Sequence, residues 1–261
     1  MGRHGKRGSE FVPATKIRRY RKGVEIEMIK SYISIDVETT GLNPKIDRLI
    51  EIGAVKVIDG QYTETFSTFI NPGRKLEQRI VELTGIRDEE LAEAPTIEEV
   101  LPGLMDFLEE LPLLGHSILF DYSFLKKAAV NRKLSFEKQG IDTLKIARKY
   151  LAQLEHRSLD YLCEYYKIPH HAHRALEDAK ATEQLYRRLI DEFYSEEEKL
   201  FCPEALIFKV KRDTPATKAQ KERLYRLTEL HKIIPETEIE SMTRSEASRY
   251  TDKILAQYGR V

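Results

Sequence analysis

The stretch Tyr32-Ile33-Ser34-Ile35-Asp36-Val37-Glu38-Thr39-Thr40-Gly41 decides how this chain is interpreted. Its first four residues form a short, mostly apolar run of the kind that becomes a buried strand. Residues two apart in a strand share a face, so the carboxylates of Asp36 and Glu38 lie side by side while Val37 points the other way. Like charges that close repel unless a cation neutralises them, and Mg²⁺ suits this task because it prefers carboxylate oxygen. Taken alone, however, the pair is better explained as the solvated end of a strand, because D-x-E is a common pattern.

Two further stretches place acidic residues where helices begin. Gly115-His116-Ser117-Ile118-Leu119-Phe120-Asp121 runs from a short strand into a helix, so Asp121 is expected near the helix N-terminus. His173-Arg174-Ala175-Leu176-Glu177-Asp178 puts His173 just before a helix and Asp178 in its first or second turn. Each has a simpler explanation on its own, because Asp is a common N-cap and the helix macrodipole favours acidic groups in the first turn.

Together the three stretches fit a single site better than three coincidences. Two-metal hydrolysis of a phosphodiester needs acidic ligands that hold ions about 4 Å apart and a base that deprotonates water. The candidate ligands are Asp36, Glu38, Asp121 and Asp178. His173, with an ordinary pKa of about 6.5, is suited to the role of base.

The residues after the acidic pair predict an α/β fold. Two strand-like runs, Leu49–Ile58 and Gln61–Ile70, are separated by Asp59-Gly60, which favours a type I′ turn with positive φ at both residues. The first three strands should therefore form an antiparallel meander. Helices and short strands follow, which predicts a mixed sheet of that meander plus parallel strands, flanked by helices. The expected elements are helix Thr96–Leu111, strand Leu113–His116, and helices Asp121–Arg132, Ser158–Tyr166 and Ala175–Tyr194.

The chain divides into three predicted parts. Residues 1–27 are basic and irregular, which favours a disordered leader over a nucleic-acid-binding arm, and Gly8-Ser9-Glu10-Phe11 resembles a vector-derived remnant. Residues 28–195 form the α/β domain. Residues 204–261 are expected to form a small helical accessory module, whose second helix is opened by a capping box of Thr243 and Glu246.

The amino-acid composition indicates the cellular compartment more clearly than the binding partner. The 261 residues carry 43 Lys and Arg against 43 Asp and Glu, so the net charge does not indicate a polyanionic partner. Cys163 and Cys202 give neither a disulfide framework nor metal-ligand spacing, which indicates reduced thiols. No apolar run approaches the roughly 18 residues that a membrane span needs. The sequence therefore predicts a cytoplasmic protein with no membrane partner.

The motif order D-x-E-T-T-G, G-H-x-x-x-F-D and H-x-x-x-x-D resembles the DEDDh, or DnaQ-like, 3′–5′ exonucleases. That family includes the proofreading epsilon subunit of bacterial DNA polymerase III, the exonuclease segment of its Gram-positive counterpart, and ribonuclease T. The resemblance covers about residues 29–192, with support from Ile50–Ala54 and Leu83–Ile86. It implies a ribonuclease-H-like fold.

The resemblance also implies roles for individual residues. Asp36, Glu38, Asp121 and Asp178 would bind two divalent cations, Mg²⁺ or Mn²⁺, and His173 would activate water. The pocket for the 3′-terminal nucleotide would be lined by Thr39, Gly41, Leu83, Thr84, His116 and Phe120. Apolar side chains at Leu83 and Phe120 can stack on bases without reading sequence. Ser117 departs from the family pattern, which usually has Asn there, and this affects substrate positioning more than catalysis.

Three functions remain open at this point. The first is an exonuclease that releases nucleoside monophosphates from single-stranded or frayed 3′ ends of DNA, in proofreading or repair. Proofreading would require a separate DNA polymerase subunit as partner. The second is the same chemistry on RNA, as in ribonuclease T or oligoribonuclease. Only the 2′-hydroxyl distinguishes the two substrates at a given site, and the sequence does not show which substrate is accepted. The third is a catalytically idle subunit that binds nucleic acid.

Overall fold

The computed structural model describes residues 16–21, 24–194, 199–235 and 237–259. Its strands are β1 (Lys16–Arg21), β2 (Val24–Ile29), β3 (Tyr32–Thr39), β4 (Leu49–Ile58), β5 (Gln61–Phe69), β6 (Leu113–Gly115), β7 (Gln139–Asp142) and β8 (Glu204–Ala205). Six of them form one mixed sheet in the order β5-β4-β3-β6-β7-β8. The pairs β3–β6 and β6–β7 are parallel, whereas the β3–β4–β5 meander and the β7–β8 pair are antiparallel. The predicted mixed sheet is confirmed.

The turn between β4 and β5 has the conformation that its sequence predicts. Asp59 has φ of 49° and Gly60 has φ of 77°. Positive φ at both central residues is the requirement of a type I′ turn, whose twist matches that of the flanking strands. This turn fixes the register in which Ile58 faces Gln61.

The helices are α1 (Gln78–Thr84), α2 (Asp88–Ala92), α3 (Ile97–Leu108), α4 (Leu119–Asn131), α5 (Thr143–Tyr150), α6 (Leu159–Tyr166), α7 (Ala175–Phe193), α8 (Lys218–Leu230) and α9 (Arg244–Tyr258). The capping box of α3 is present, since Thr96 N–H donates to Glu99 Oε2 at 2.8 Å. Helix α3 ends three residues before the predicted Leu111, and α4 begins two residues before the predicted Asp121. In the part of the chain that the structure describes, every helix is too short or too polar to cross a membrane.

Alternation along β3 divides the core between the two faces of the sheet. Ile33, Ile35 and Val37 are buried against α3 and α4. Tyr32 faces the opposite side, where α5, α6 and α7 pack. Ser34 points to that same side and donates to the backbone oxygen of Ala179 in α7 at 2.7 Å. Because side chains alternate, Asp36 and Glu38 are also directed toward α7.

The N-terminal segment differs from its prediction where the structure describes it. The expected disordered leader covered residues 1–27, of which 1–15, 22 and 23 lie outside the described residues. Strands β1 and β2 pair antiparallel in register from Lys16 opposite Ile29 to Arg21 opposite Val24. The apolar–charged alternation of Val24-Glu25-Ile26-Glu27-Met28 is typical of a strand, and the basic character of the segment masked this signal.

The predicted boundary at residue 204 is also displaced. Strand β8 (Glu204–Ala205) extends the main sheet, with Ala205 opposite Gln139. Asp213 is tied to the same domain, because Lys127 Nζ donates to its Oδ1 at 2.6 Å and Asn131 donates to its Oδ2 at 2.9 Å. The separate core of the helical module begins only at Ala216. Residues 204–213 therefore belong structurally to the α/β domain.

Candidate active site

Three carboxylates meet where β3 lies against the start of α7. Oxygen atoms of Asp36, Glu38 and Asp178 all lie within 4.8 Å of one another. The close approach of α7 depends on Gly53, which pairs with Asp36 across the β3–β4 ladder. A Cβ at Gly53 would lie 2.0 Å from the backbone nitrogen of Leu176, so a side chain there would push the helix away.

A fourth carboxylate, Asp121, comes from α4 on the other side of β3. Its Oδ1 accepts a hydrogen bond from the backbone N–H of Val37 at 3.1 Å, between Asp36 and Glu38. Asp121 is buried and lies in the first turn of α4, so it is not the N-cap of this helix. Its carboxylate is therefore fixed directly to β3.

The four carboxylates are electrostatically costly in one another's presence. Burial first, and then the charges of Asp121 and Asp178, raise the pKa of Asp36 well above its ordinary value. Burial, followed by the charges of Asp178 and Glu51, raises the pKa of Glu38 to about 8. Burial likewise raises the pKa of Asp121 and Asp178. Such a set of oxygens fits a divalent cation, whose positive charge offsets the repulsion between the buried carboxylates.

His173 lies at the mouth of this group. It is half-buried, lines the same cleft as Asp178, and adopts a left-handed backbone conformation with φ of 63°. A non-glycine residue in this region costs free energy, which is commonly retained where a side chain must be held at a functional position. It is also among the groups that lower the pKa of Asp178 against the larger effect of burial.

A second histidine, His170, contacts the carboxylates directly. Its Nε2–H donates to Asp178 Oδ1 at 2.6 Å, and its Nδ1 lies 3.1 Å from Asp160 Oδ1. The other oxygen of Asp178 accepts from the backbone N–H of Arg174 at 2.9 Å. His170 therefore orients one of the candidate metal ligands. Sequence analysis missed it, because His170, His171 and His173 are indistinguishable by residue type.

Glu51 holds the start of α7 against the sheet. It lies opposite Glu38 in the β3–β4 ladder and is almost fully buried. Its carboxylate accepts from the first backbone N–H of the helix, at Ala175, at 3.2 Å, and from the guanidinium of Arg174 at 3.3 Å. A carboxylate at a helix N-terminus is favoured by the helix dipole. Glu51 thus fixes the helix that carries Asp178.

All five predicted catalytic residues line one open cleft of about 750 Å³. Of the predicted nucleotide-binding residues, His116 and Phe120 line it as well. Both ring nitrogens of His116 are engaged, Nδ1 with Thr143 Oγ1 at 2.9 Å and Nε2 with the backbone oxygen of Arg157 at 2.8 Å. His116 therefore shapes the cleft wall, and the half-buried Phe120 lines the cleft as well.

Four other predicted nucleotide-binding residues are not among the described residues that line this cleft: Thr39, Gly41, Leu83 and Thr84. Thr39 donates to the backbone oxygen of Gly41 at 2.6 Å. Thr84 is buried, with its hydroxyl bonded to the backbone oxygen of Ile80 at 2.9 Å and to the backbone N–H of Ile86 at 3.1 Å. Leu83 is half exposed on α1. The structure instead brings Leu42, which is 84% exposed, to the cleft rim.

Comparison with known proteins places this site in a family. The RNase_T family model, described as an exonuclease, matches residues 33–186. A PolC-type DNA polymerase III of Caldanaerobacter subterraneus subsp. tengcongensis is 39% identical over 169 residues, which are 64% of this chain and 12% of that protein. A DNA polymerase III subunit epsilon of Aquifex aeolicus is 35% identical over 166 residues, which are 63% of this chain and 82% of that protein.

Solved structures agree with the sequence relatives. Exonuclease X in complex with 5′ overhanging duplex DNA superposes with a TM-score of 0.52 at 25% identity, covering 64% of this chain and 95% of that one. The family's exonucleases use divalent metal ions, which is consistent with the carboxylate group at the end of β3. The chain therefore belongs to the RNase_T exonuclease family, in its DEDDh type of 3′–5′ exonucleases.

Proposed function

We propose that this protein removes nucleotides one at a time from single-stranded or frayed 3′ ends of DNA and releases nucleoside 5′-monophosphates. The observation that carries this proposal is the convergence of Asp36, Glu38, Asp121 and Asp178 on one end of β3. Buried acids whose pKa values are raised in this way need cationic charge to ionise together at neutral pH. Two divalent cations, Mg²⁺ or Mn²⁺, meet that need.

The four carboxylates hold the cations in this proposal. Asp36, Glu38 and Asp178 are close enough together to share an ion, and Asp121 adds an oxygen from the other side of the strand. Bound cations supply Lewis acidity, which lowers the pKa of an attacking water and stabilises the charge that forms on the leaving oxygen. The protein itself keeps the carboxylates together, and Gly53 and Glu51 contribute by positioning α7, which carries Asp178.

His173 is the proposed general base. Its place on the cleft wall beside Asp178 lets it take a proton from the water that attacks the terminal phosphorus. A bond forms between the water oxygen and phosphorus, and the bond from phosphorus to the 3′-oxygen of the preceding nucleotide breaks. That oxygen takes up a proton, which leaves a new 3′-hydroxyl on the strand and a free 5′-monophosphate.

The cleft walls suit a strand of any sequence. Leu42 and Phe120 present apolar surface at the rim and wall, and base stacking on such side chains does not depend on base identity. Thr39 and Gly41 stay proposed contacts of the terminal sugar, through the backbone that follows Glu38. Leu83 and Thr84 stay proposed contacts of the terminal nucleotide.

DNA is the favoured substrate because of the proteins to which this chain is related. Both sequence relatives described above are named as DNA polymerase III proteins. The chain spans most of the epsilon subunit but only 12% of the PolC-type protein, so proofreading beside a separate polymerase subunit is part of the proposal. Exonuclease X, which shares the fold, was solved with DNA.

A paired degradation assay tests the substrate. DNA and RNA strands of the same sequence, labelled at the 5′ end, are incubated with the protein in Mn²⁺ or in EDTA. The proposal expects a ladder that shortens from the 3′ end, with DNA degraded faster and with no degradation in EDTA. Faster degradation of RNA would show that RNA is the preferred substrate and would leave the proposed chemistry unchanged. If neither strand is degraded in a cation-dependent way, both the proposed substrate and the proposed chemistry are refuted.

A further inference from the structure

The C-terminal helical module, residues 214–259 as far as they are described, touches the exonuclease domain close to its active site. The module has a small core of its own, formed by Ala216, Leu224, Leu227, Ile239, Met242, Ala247 and Ile254. The charged side chains that link it to the exonuclease domain lie at the start of α9. Glu246, in the first turn of that helix, is at their centre.

Glu246 binds two arginines of the exonuclease domain with one oxygen. Arg48 Nη2 donates to Glu246 Oε1 at 2.6 Å, and Arg74 Nη2 donates to the same oxygen. The Glu246 side chain is only 11% exposed. Burial acts to raise its pKa, but Arg48, the Thr243 N–H and Arg74 outweigh burial and lower it. The carboxylate is therefore ionised and paired at neutral pH.

Both arginines stabilise the active-site loop, residues 40–48, which follows β3. Arg48 is the last residue of this loop, and Arg74 contacts the loop from outside. The backbone oxygen of Arg48 accepts from Thr40 N–H at 2.8 Å, and Arg48 N–H donates to Thr40 Oγ1 at 3.0 Å. Arg74 Nη1 donates to the backbone oxygen of Ile46 at 3.2 Å. Glu246 is thereby connected to the last part of the loop, at Ile46 and at Arg48.

A second link joins α9 to the inside of the same loop. Arg249 Nη1 lies 3.8 Å from Asp47 Oδ1, while Asp47 Oδ2 accepts from Asn43 N–H at 2.9 Å. The Asp47 carboxylate fills the space beside Gly41, where an added Cβ would lie 2.6 Å from Oδ2. The contact of Asp47 with α9 is thus a contact with the residue that gives the loop its shape.

The active-site loop carries Leu42 to the rim of the catalytic cleft. We propose that the helical module clamps this loop through Glu246, so that binding of the 3′ end depends on the module while the chemical step does not. The Leu42 side chain is 84% exposed and therefore has few packing contacts of its own. Its position follows from the loop backbone, which Asp47, Arg48 and Arg74 fix. Glu246 is a positioning residue, and the proposal rests on the exonuclease function proposed above.

The Glu246→Gln substitution separates the clamp from the helix cap. Glu246 also accepts from Thr243 N–H through Oε2 at 2.9 Å, as the third residue of α9 in its capping box. Gln serves in this position as well as Glu, so the helix start is kept while the charge that binds the arginines is removed. Glu240→Gln is the matched control, because Glu240 pairs with Lys221 inside the module at 2.6 Å.

Steady-state degradation of single-stranded DNA in Mn²⁺ tests the clamp. Coupling between separate sites commonly amounts to about five-fold or more in binding, so Glu246→Gln should raise KM by roughly that factor. Loss of binding that is equal in ground and transition states leaves kcat unchanged. Glu240→Gln should match the wild type in both constants. An unchanged KM in Glu246→Gln overturns the proposal, and so does a fall in its kcat.

Hydrogen exchange gives a readout that does not depend on activity. The amides of Thr40 and Asn43 are bonded within the loop and should exchange faster in Glu246→Gln than in the wild type or in Glu240→Gln. Equal exchange in all three proteins would overturn the clamp. If the wild type releases no nucleotides and the two amides still exchange faster in Glu246→Gln, the proposed function is refuted while the contact between module and loop stands.

Discussion

Replacing Glu38 by Gln should stabilise the protein when divalent cations are absent. Glu38 has a pKa of 4.5 in the unfolded chain, and burial together with Asp178 and Glu51 raises it to about 8 in the folded protein. Between these two values the folded state holds a proton that the unfolded state has released. The stability of the cation-free protein therefore falls as pH rises through this window.

The size of the effect follows from the same two pKa values. At pH 7 the unfolded-state pKa lies about 2.5 units below the pH, and at about 1.36 kcal/mol per unit this costs about 3 kcal/mol on folding. Water that enters the cleft screens part of the repulsion, which leaves an expected gain of about 1–3 kcal/mol for Glu38→Gln. For a domain of this size the gain corresponds to a Tm higher by roughly 2–12 °C.

Thermal unfolding in EDTA at pH 5 and pH 7.5 measures this directly. The gain should be small at pH 5, where Glu38 is close to its unfolded-state pKa, and large at pH 7.5. Added Mn²⁺ should raise the Tm of the wild type more than that of the variant, because the cation relieves the same repulsion. A variant that is no more stable than the wild type at pH 7.5, or equally more stable at both pH values, would refute the electrostatic account.

Three further predictions concern residues around the carboxylates. His173→Ala should lower the rate of nucleotide release by about 10²–10⁴ and keep the Mn²⁺-dependent rise in Tm, whereas loss of that rise would make His173 a ligand. His170→Ala should weaken Mn²⁺ binding about 10–100-fold in calorimetry, because Asp178 loses its orienting partner, and unchanged affinity would remove that role. Gly53→Ala should destabilise the protein by about 1–3 kcal/mol in urea unfolding, since its Cβ would meet Leu176; a neutral result would contradict the described packing of α7.

The sequence predicts the frame of the site because its signals are local. The Asp59-Gly60 turn, the capping box of Thr96 and the apolar run before Asp36 each specify their own element without help from distant residues. The period of two along β3 is sufficient to place Asp36 and Glu38 on one face. The motif order then brings Asp121 and Asp178 to the same strand, as the structure shows.

The roles of residues that depend on tertiary packing could not be predicted from the sequence. His170 differs from its neighbours only in facing Asp160 and Asp178 across the fold. Strand β8 has two residues and carries no apolar pattern, so its place in the sheet follows from pairing with β7 alone. The contact of Glu246 with Arg48 joins residues 198 apart in the chain, and the capping box by itself explained the presence of Glu246.

The central claim is that four carboxylates at the end of β3 support cation-dependent removal of 3′-terminal nucleotides. Its most direct test follows single-stranded DNA with distinct labels at its two ends, incubated with the wild type and with Asp36→Asn in Mn²⁺. The account predicts that the wild type releases the 3′ label first, as a 5′-mononucleotide, and that Asp36→Asn releases none while remaining folded by circular dichroism. Equal release by both proteins, or release of the 5′ label first, would contradict it.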